Sequence, residues 1–366
     1  MTLRLATAGE SHGPALVGVM TGLPAGLTLD RMAIDADLRR RQEGYGRSPR
    51  QQLERDEIEV LAGLRHERTL GTPLAFLVRN LDHANWAWGM SPWPPEGDAT
   101  GKGTRPVTLP RPGHADLAGA LKFGLADVRD ALERASARQT AVTVAAGAIA
   151  KTLLHEIGIT VESSTLEIGG AEEEAAMGEA IDAARADRDT LGGVVEARAD
   201  GVPPGLGSYA TPEERLDARL AGALMGIQAV KAVEIGAGLA LARMRGSEAH
   251  DELVGGDRAP RRETNRAGGI EAGVSNGEPV IVRAAMKPLP TLMRPLRSVD
   301  LATGEPAGAL VERSDVAAVE ALAVVAEAAL AFELARAARE KFGGDSVGDF
   351  VGAHRAYLER ISWAPH

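Results

Sequence analysis

Two histidines of this chain lie beside glycines in short polar motifs, where they could transfer protons. His12 lies in residues 9–14 (GESHGP), and His114 lies in residues 111–116 (RPGHAD). Histidine changes its charge near neutral pH, and a neighbouring glycine lets a ligand approach the backbone closely. The alternatives are a surface histidine in an ordinary turn for His12 and a capping or packing histidine for His114. Each motif alone leaves its alternative open.

Two arginine-rich segments could bind an anion. Residues 39–47 (RRRQEGYGR) contain Arg41 and Arg47, and residues 134–140 (RASARQT) contain Arg138. A guanidinium group binds carboxylates and phosphates through two parallel hydrogen bonds. Because the second segment falls between two predicted helices, it also resembles a phosphate cradle at a helix N-terminus. A solvated basic face and ion pairs with nearby acids are the alternatives.

Two further segments combine charge with restricted backbone. Residues 287–291 (KPLPT) hold a lysine and a threonine in an extended loop, because two prolines fix the backbone there. Residues 313–315 (RSD) open the last predicted helix. The triplet alone favours Ser314 or Asp315 as the N-cap of that helix.

The elements that must position these residues come in blocks. Short strands are predicted near residues 3–6, 17–20, 58–62 and 73–78, and again near 159–168, 194–199, 230–236 and 280–286. Helices are predicted near 137–156 and 314–340. This order predicts an α+β fold with antiparallel sheets, because regular alternation of strand and helix is absent. The helix near 314–340 is apolar on more than one face, which indicates helices packed between sheets. We expect residues 1–366 to form a single composite domain.

One predicted helix and one long loop lie just before residue 134. Apolar residues at spacings of three and four between Leu117 and Leu132 predict one helix that buries this stripe, with Asp116 and Glu133 on its polar face. The loop at 81–112 is rich in proline, glycine and tryptophan, which is typical of a lid or a partly disordered segment. Its tryptophans favour packing over cofactor binding.

Composition and charge exclude several classes of protein. The chain has no cysteine, which excludes disulfides and thiolate sites and fits a reducing compartment. Its net charge of −10 disfavours nucleic acid and an anionic membrane as partners. The N-terminus has no signal-peptide pattern, and charged residues interrupt the longest apolar stretch, 316–334. We therefore expect a cytoplasmic protein.

The familiar cofactor and metal motifs are absent from the sequence. No Gly-x-Gly-x-x-Gly follows a predicted strand, and no His-Glu-x-x-His or Gly-x-Ser-x-Gly is present. The sequence gives no support for a Rossmann dinucleotide site, a zinc site or a nucleophile elbow. We expect no metal.

Taken together and in this order, the motifs closely resemble those of the chorismate synthase family. The matching segments span nearly the whole chain: residues 9–14, 39–47, 111–116, 134–141, 228–236, 265–277, 287–291 and 313–315. The resemblance implies conversion of 5-enolpyruvylshikimate 3-phosphate to chorismate and phosphate in aromatic amino acid biosynthesis. It also implies a requirement for reduced FMN without net redox change, NADPH as a candidate reductant, and a homotetramer that packs helices between sheets.

The resemblance implies a role for each matching residue. His12 would protonate the departing phosphate, His114 would balance charge at flavin N1, and Asp315 would act with flavin N5 to accept the substrate proton. Substrate or NADPH would bind Arg41, Arg47 and Arg138. FMN would contact Arg134, Ala135, Ser136, Gln228, Ala229, Ala272, Lys287, Pro288, Leu289, Pro290, Thr291 and Arg313. Two departures, Leu289–Thr291 in place of Thr-Ser-Ser and Ala135 in place of serine, affect individual flavin contacts.

Two other functions explain part of the pattern. A non-catalytic protein that binds an anionic nucleotide or a small phosphate would explain the arginines, but not two glycine-flanked histidines and an aspartate. An NADPH-dependent flavin reductase would explain the flavin contacts, and the absence of a Rossmann motif argues against it only weakly, because flavin enzymes use many folds.

Overall fold

The computed structural model describes residues 2–47, 55–255, 260–312 and 314–362. Its α-helices are α1 (Arg31–Gln42), α2 (Asp116–Phe123), α3 (Arg129–Ala135), α4 (Thr140–His155), α5 (Glu174–Ala186), α6 (Leu216–Met225), α7 (Gly246–Ala249), α8 (Val319–Phe342) and α9 (Val347–Ile361). Its longer strands and short hairpin strands are β1 (Arg4–Ala8), β2 (Ala15–Thr21), β3 (Ile58–Ala62), β4 (Leu64–Arg65), β5 (Arg68–Thr69), β6 (Leu74–Arg79), β7 (Thr160–Ile168), β8 (Gly193–Asp200), β9 (Val230–Ile235), β10 (Leu253–Val254), β11 (Arg261–Arg262), β12 (Ile270–Glu271), β13 (Val274–Ser275), β14 (Val280–Met286), β15 (Arg297–Val299) and β16 (Pro306–Gly308).

Two four-stranded antiparallel sheets form the outer layers of the fold. The first sheet has the order β1-β2-β6-β3 and the second has the order β7-β8-β14-β9. Each strand has alternating inward and outward side chains, so Leu16, Met20 and Phe76 of the first sheet point into the core and are fully buried. All eight predicted strands are present, and their ends differ from the prediction by at most two residues.

The helices α1, α4 and α8 fill the space between the sheets. Gly18 of the first sheet lies directly against Val142 of α4, and Gly193 of the second sheet lies against Val319 of α8. The helices α4 and α8 pack on each other, and a side-chain carbon on Gly147 would lie only 2.3 Å from Cβ of Ala328. The predicted α+β class, with helices packed between antiparallel sheets, is confirmed.

One buried carboxylate joins the layers. Glu327 of α8 accepts hydrogen bonds from Arg40 of α1 (2.8 Å), Lys151 of α4 (2.6 Å) and Ser163 of β7 (2.8 Å). Burial opposes its charge, yet the bond from Arg40 and the charge of Lys151 hold the pKa of Glu327 below its usual range. Three elements are thereby fixed to α8 at one point.

The single helix predicted for residues 117–132 is wrong. Gly124, with φ of 67°, ends α2 in a left-handed conformation, and α3 begins only at Arg129. Leu121 is 75% exposed, whereas Asp116 and Glu133, predicted on the polar face, are buried. Hydrogen-bonding partners outside the two helices explain the burial of both carboxylates: the adjacent motif supplies those of Asp116, and the distant β1–β2 turn supplies those of Glu133. A periodicity argument does not include such partners.

The last long helix begins later than predicted. Ala318 is its N-cap and Val319 its first residue, so neither Ser314 nor Asp315 caps α8. Its buried residues occur on all sides, as expected for a helix between two layers. Within the described ranges, no helix is both long enough and apolar enough to cross a bilayer.

We predict that Gly147→Ala destabilises the fold by about 1–3 kcal/mol, because the added methyl group would overlap Ala328 in a closely packed core. The measurement is the free energy of unfolding in urea. Gly178→Ala in α5 is the control, since nothing lies within 4 Å of its added carbon and alanine is about 1 kcal/mol better than glycine in a helix. Equal effects of the two substitutions would contradict the proposed helix contact.

Candidate active site

A cavity of about 400 Å³ lies where several element ends converge on the N-termini of α4 and α8. Its walls come from the β1–β2 turn, the end of α1, the loop before α2, the α3–α4 junction, and the segments after α6, after β14 and before α8. This volume is typical of a site for a small molecule. The site therefore depends on connections between elements rather than on one continuous motif.

His12 lies on the β1–β2 turn and is held by Glu133 of α3. Its Nδ1 lies 2.9 Å from Oε1 of Glu133, its backbone N–H donates to Oε2 (2.9 Å), and the Ser11 hydroxyl also donates to Oε2. Burial opposes the charge of this carboxylate, but the hydrogen bond from His12 keeps the pKa of Glu133 below its usual range. An ionised carboxylate only accepts hydrogen bonds, so His12 carries its proton on Nδ1.

The loop at 81–112 packs against the same turn. Trp86 stacks on the imidazole of His12 with ring centroids 4.0 Å apart and an interplanar angle of 23°. The indole N–H of Trp86 donates to Asp82 (2.9 Å), and Asn80 donates to the carbonyl of Gly13 (2.7 Å). The tryptophan-rich loop therefore packs against His12, and packing is the role predicted for its tryptophans.

His114 is held in the same way by a different carboxylate. Its Nδ1 donates to Asp116, which is fully buried and also accepts from the backbone N–H and Nε of Arg111 (2.9 Å each). Burial opposes the charge of Asp116, but the bonds from His114 and Arg111 hold its pKa well below the usual range. Both histidines thus use Nδ1 to bind a buried carboxylate.

Asp56 joins two of the arginines that line the cavity. It accepts from Arg41 (3.1 Å) and from Arg138 (2.6 Å), and Nε of Arg41 also donates to Thr140 (2.8 Å). Burial, opposed by the charge of Asp56, lowers the pKa of Arg41 to about 10, so the group stays protonated at neutral pH. The acid fixes the two guanidiniums in place and leaves them close together.

Arg47 reaches the cavity from the loop after α1. Its Nη1 lies 2.8 Å from Oδ2 of Asp315, and both side chains are nearly buried. Its Nε is buried without a hydrogen-bond partner among the described residues. A buried donor of this kind is costly, and an anionic ligand would supply the missing acceptor.

The wall of the cavity carries more positive than negative charge. The positively charged residues among its described lining residues are Arg41, Arg47, Arg111, Arg138 and Lys287, and the carboxylates are Glu312 and Asp315. Burial and the nearby charge of Lys231 lower the pKa of Lys287. In a chain with a net charge of −10, this excess marks the cavity as a site for an anion.

The structure brings most of the predicted site residues to this one cavity. Those that line it are His12, Arg41, Arg47, His114, Ala135, Ser136, Arg138, Gln228, Ala229, Lys287, Leu289, Pro290, Thr291 and Asp315. Arg134 instead donates to the carbonyl of Thr7 (3.1 Å), Pro288 is not a lining residue, and Ala272 lies at the β12–β13 turn outside the cavity. Arg313 lies outside the described residues.

Sequence reasoning missed the groups that hold these side chains. Glu133 and Asp116 were assigned to a solvent-exposed helix face, and Asp56 and Trp86 received no role at the site. Asp116 stands two residues from His114, so the spacing offered a signal for it. Glu133 is separated from His12 by 121 residues, and no local pattern joins them. No group of side chains suited to a metal ion is present in the described part of the chain.

We predict that Asp116→Asn lowers stability most at neutral pH. The pKa of Asp116 is lower in the folded state than in the unfolded chain, where an aspartate has a pKa of about 3.9. Its charge therefore stabilises the fold above that unfolded pKa, and this stabilisation is lost as the pH falls. The difference in free energy of unfolding between wild type and variant should therefore narrow from about pH 6 to about pH 3. Asp98→Asn, on an exposed loop, is the control. A difference that is constant with pH would contradict the assignment.

Comparisons with known proteins identify the family. A family model described as chorismate synthase matches residues 3–338. The chorismate synthase of Desulforudis audaxviator is 52% identical, and the alignment covers 98% of each chain. That of Symbiobacterium thermophilum is 51% identical, covering 98% of this chain and 100% of the relative. A crystal structure of a chorismate synthase superposes with a TM-score of 0.79 at 35% identity, covering 99% of this chain and 98% of that one. The chain belongs to the chorismate synthase family.

Proposed function

We propose that this lyase converts 5-enolpyruvylshikimate 3-phosphate to chorismate and inorganic phosphate, with reduced FMN, as a step of aromatic amino acid biosynthesis. The observation that supports this most directly is the cavity itself, where two oriented histidines face five positively charged side chains. Family membership does not favour the two alternatives, an NADPH-dependent flavin reductase and a non-catalytic anion binder.

The substrate carries a phosphate and two carboxylates, and the arginines suit these groups. Arg41 and Arg138 are fixed side by side through Asp56, so they form a preorganised anion site. Arg47 contributes a buried Nε–H that has no acceptor in the described structure. We assign these arginines to the substrate, and Arg41 and Arg47 also to NADPH if it serves as reductant.

A second group of lining residues suits a flavin mononucleotide. Ala135, Ser136, Gln228 and Ala229 and the loop of Lys287, Leu289, Pro290 and Thr291 line it with small side chains, backbone groups and one cation. When bound, reduced FMN supplies an electron-rich ring, and the reaction has no net redox change. Arg134, Pro288 and Arg313 remain proposed contacts on the strength of the resemblance. Ala272 lies outside the cavity of its own chain, so no contact within one subunit is proposed for it.

The proton transfers are assigned to three residues. In the 1,4-elimination the bond between carbon and the phosphate oxygen breaks, its electron pair leaves with phosphate, and a carbon elsewhere on the ring loses a proton. His12 donates a proton from Nε2 to the departing phosphate, since Nδ1 is bound to Glu133. Asp315 accepts the proton from the substrate carbon, and His114 holds a proton that balances negative charge at flavin N1. Each residue lines the same cavity.

The outer surface of the first sheet supports the proposal of an oligomer. Val17, Val19 and Leu77 alternate with buried residues along their strands, so they lie on the face opposite α4, and they are only partly buried in one chain. A sheet face that is apolar in this way is typical of a subunit interface. We propose a homotetramer that resides in the cytoplasm, with no nucleic acid or membrane as partner.

The decisive assay is anaerobic and uses chemically reduced FMN with 5-enolpyruvylshikimate 3-phosphate. We expect chorismate and phosphate in equal amounts, and His114→Ala should slow turnover by about 10²-fold or more, because a positioned proton donor is lost. The control is His155→Ala, an exposed position at the end of α4. Absence of chorismate with the wild-type protein would refute the function, and near-normal turnover of His114→Ala would remove that residue from the mechanism.

A second prediction concerns Asp315, which pairs with Arg47 and does not cap α8. Asp315→Asn keeps the volume and a hydrogen-bond acceptor for Arg47 but cannot take up a proton as a carboxylate does. Turnover should fall by about 10²-fold or more while FMN affinity stays near wild type, and the thermal midpoint should also fall, because Arg47 loses the charge of its nearly buried partner. Asp98→Asn provides the matched control. A rate close to that of the wild type would exclude Asp315 as the proton acceptor.

A further inference from the structure

Glu133 contacts His12 through both the ring and the backbone. We propose that Glu133 is a positioning residue that fixes the tautomer and the orientation of His12, and that Trp86 holds the same ring from its face. The proposal rests on the proposed function of His12 as a proton donor and identifies two residues on which that function depends.

The hydrogen bonds to Glu133 require a carboxylate. Oε1 accepts from Nδ1 of His12 (2.9 Å), and Oε2 accepts from the backbone N–H of His12 (2.9 Å) and from the Ser11 hydroxyl. The backbone N–H can only donate, and the guanidinium of Arg129 lies 3.5 Å from Oε1, so an ionised carboxylate is favoured and Nδ1 then donates to it. Because the same carboxylate binds the backbone and the ring of one residue, it sets the direction of the side chain as well as its protonation state.

Trp86 restricts the remaining freedom of the ring. Its indole stacks on the imidazole with centroids 4.0 Å apart and planes inclined by 23°, so rotation of the imidazole about χ2 would bring it into the indole. The indole is itself fixed by Asp82, which accepts from its N–H and from Lys102 (3.0 Å). The guanidinium of Arg129 also lies over the indole ring, 4.9 Å from its centroid.

The charges around His12 favour an ionised Glu133. Nη1 of Arg129 lies 3.5 Å from Oε1 of Glu133, and His83 binds the backbone carbonyl of His12 (3.0 Å) from the loop.

Asp82 and Lys102 form an ion pair behind Trp86, and their charges largely cancel each other. Glu133 is thus the negative group bonded to the ring. It also stabilises the protonated imidazole from which Nε2 gives up its proton.

Two substitutions of Glu133 distinguish a positioning role from a merely structural one. In Glu133→Gln the side chain keeps its size but has one accepting oxygen and one NH₂ group. With its oxygen accepting from the backbone N–H, the amide places its NH₂ where Oε1 lies 2.9 Å from Nδ1, and this donor favours an Nδ1 that accepts, so the tautomer with a proton on Nδ1 loses its support. Glu133→Asp keeps the charge and both acceptors on a shorter side chain. Comparing the two variants therefore shows what the negative charge and the second accepting oxygen of Glu133 contribute, apart from the size of the side chain.

The tautomer is read from solid-state ¹⁵N NMR of sedimented, histidine-labelled ligand-free protein, with His12→Gln identifying the signal. We expect the proton on Nδ1 in the wild type and in Glu133→Asp, and its loss from Nδ1 in Glu133→Gln. Turnover with reduced FMN should fall by about 10²-fold in Glu133→Gln with KM little changed, and Glu133→Asp should recover part of the loss. Trp86→Leu should also lower kcat, whereas Trp93→Leu, 78% exposed on the same loop, should not.

Several results would overturn the proposal. These are a neutral wild-type His12 that carries its proton on Nε2 and not on Nδ1, an unchanged tautomer in Glu133→Gln, a kcat within twofold of wild type in that variant, or equal losses in Glu133→Gln and Glu133→Asp. If Glu133→Gln fails to fold, the wild-type tautomer and the kcat of Glu133→Asp and Trp86→Leu decide the question. Because the NMR measurement needs no substrate or cofactor, it stands even if the wild-type protein forms no chorismate.

Discussion

The contact between α4 and α8 sets the spacing of the whole molecule. The two helices approach so closely at Gly147 and Ala328 that no side chain larger than hydrogen fits at the first position. Each helix also packs against one of the two sheets, so their separation determines how far apart the sheets lie. The N-termini of both helices open into the cavity, where Thr140, Ala321 and Leu322 line its wall. Small residues in the core thereby determine the size of the site.

The histidine sites follow from the need to satisfy buried charge. A carboxylate removed from water is costly unless hydrogen-bond donors surround it, and Glu133 and Asp116 each bind several. Those donors include the histidines, so the groups that neutralise the acids are the same groups that take part in the proposed proton transfers. The energetic cost of burying the acids is offset by contacts that also orient the imidazoles.

The arginines are also charged groups removed from water that need partners, and their charge is positive. Several guanidiniums in one cavity repel each other, and Asp56 and Asp315 reduce that repulsion while leaving an excess of positive charge. The remainder of the chain is acidic, with a net charge of −10. An anionic ligand is therefore attracted to the cavity, and a cationic ligand is not.

The sequence by itself determined the fold class, the strands of both sheets, and the segments that meet at the cavity. It could do so because alternation, periodicity and short motifs depend on neighbouring residues. Only the tertiary structure decided that residues 117–132 form two helices, that Asp315 pairs with Arg47 and not with the start of α8, and that Asp56 joins two arginines. The partnership of His12 with Glu133 and Trp86 was likewise invisible. These contacts join residues far apart in the chain, and their energies depend on burial, which no local pattern contains.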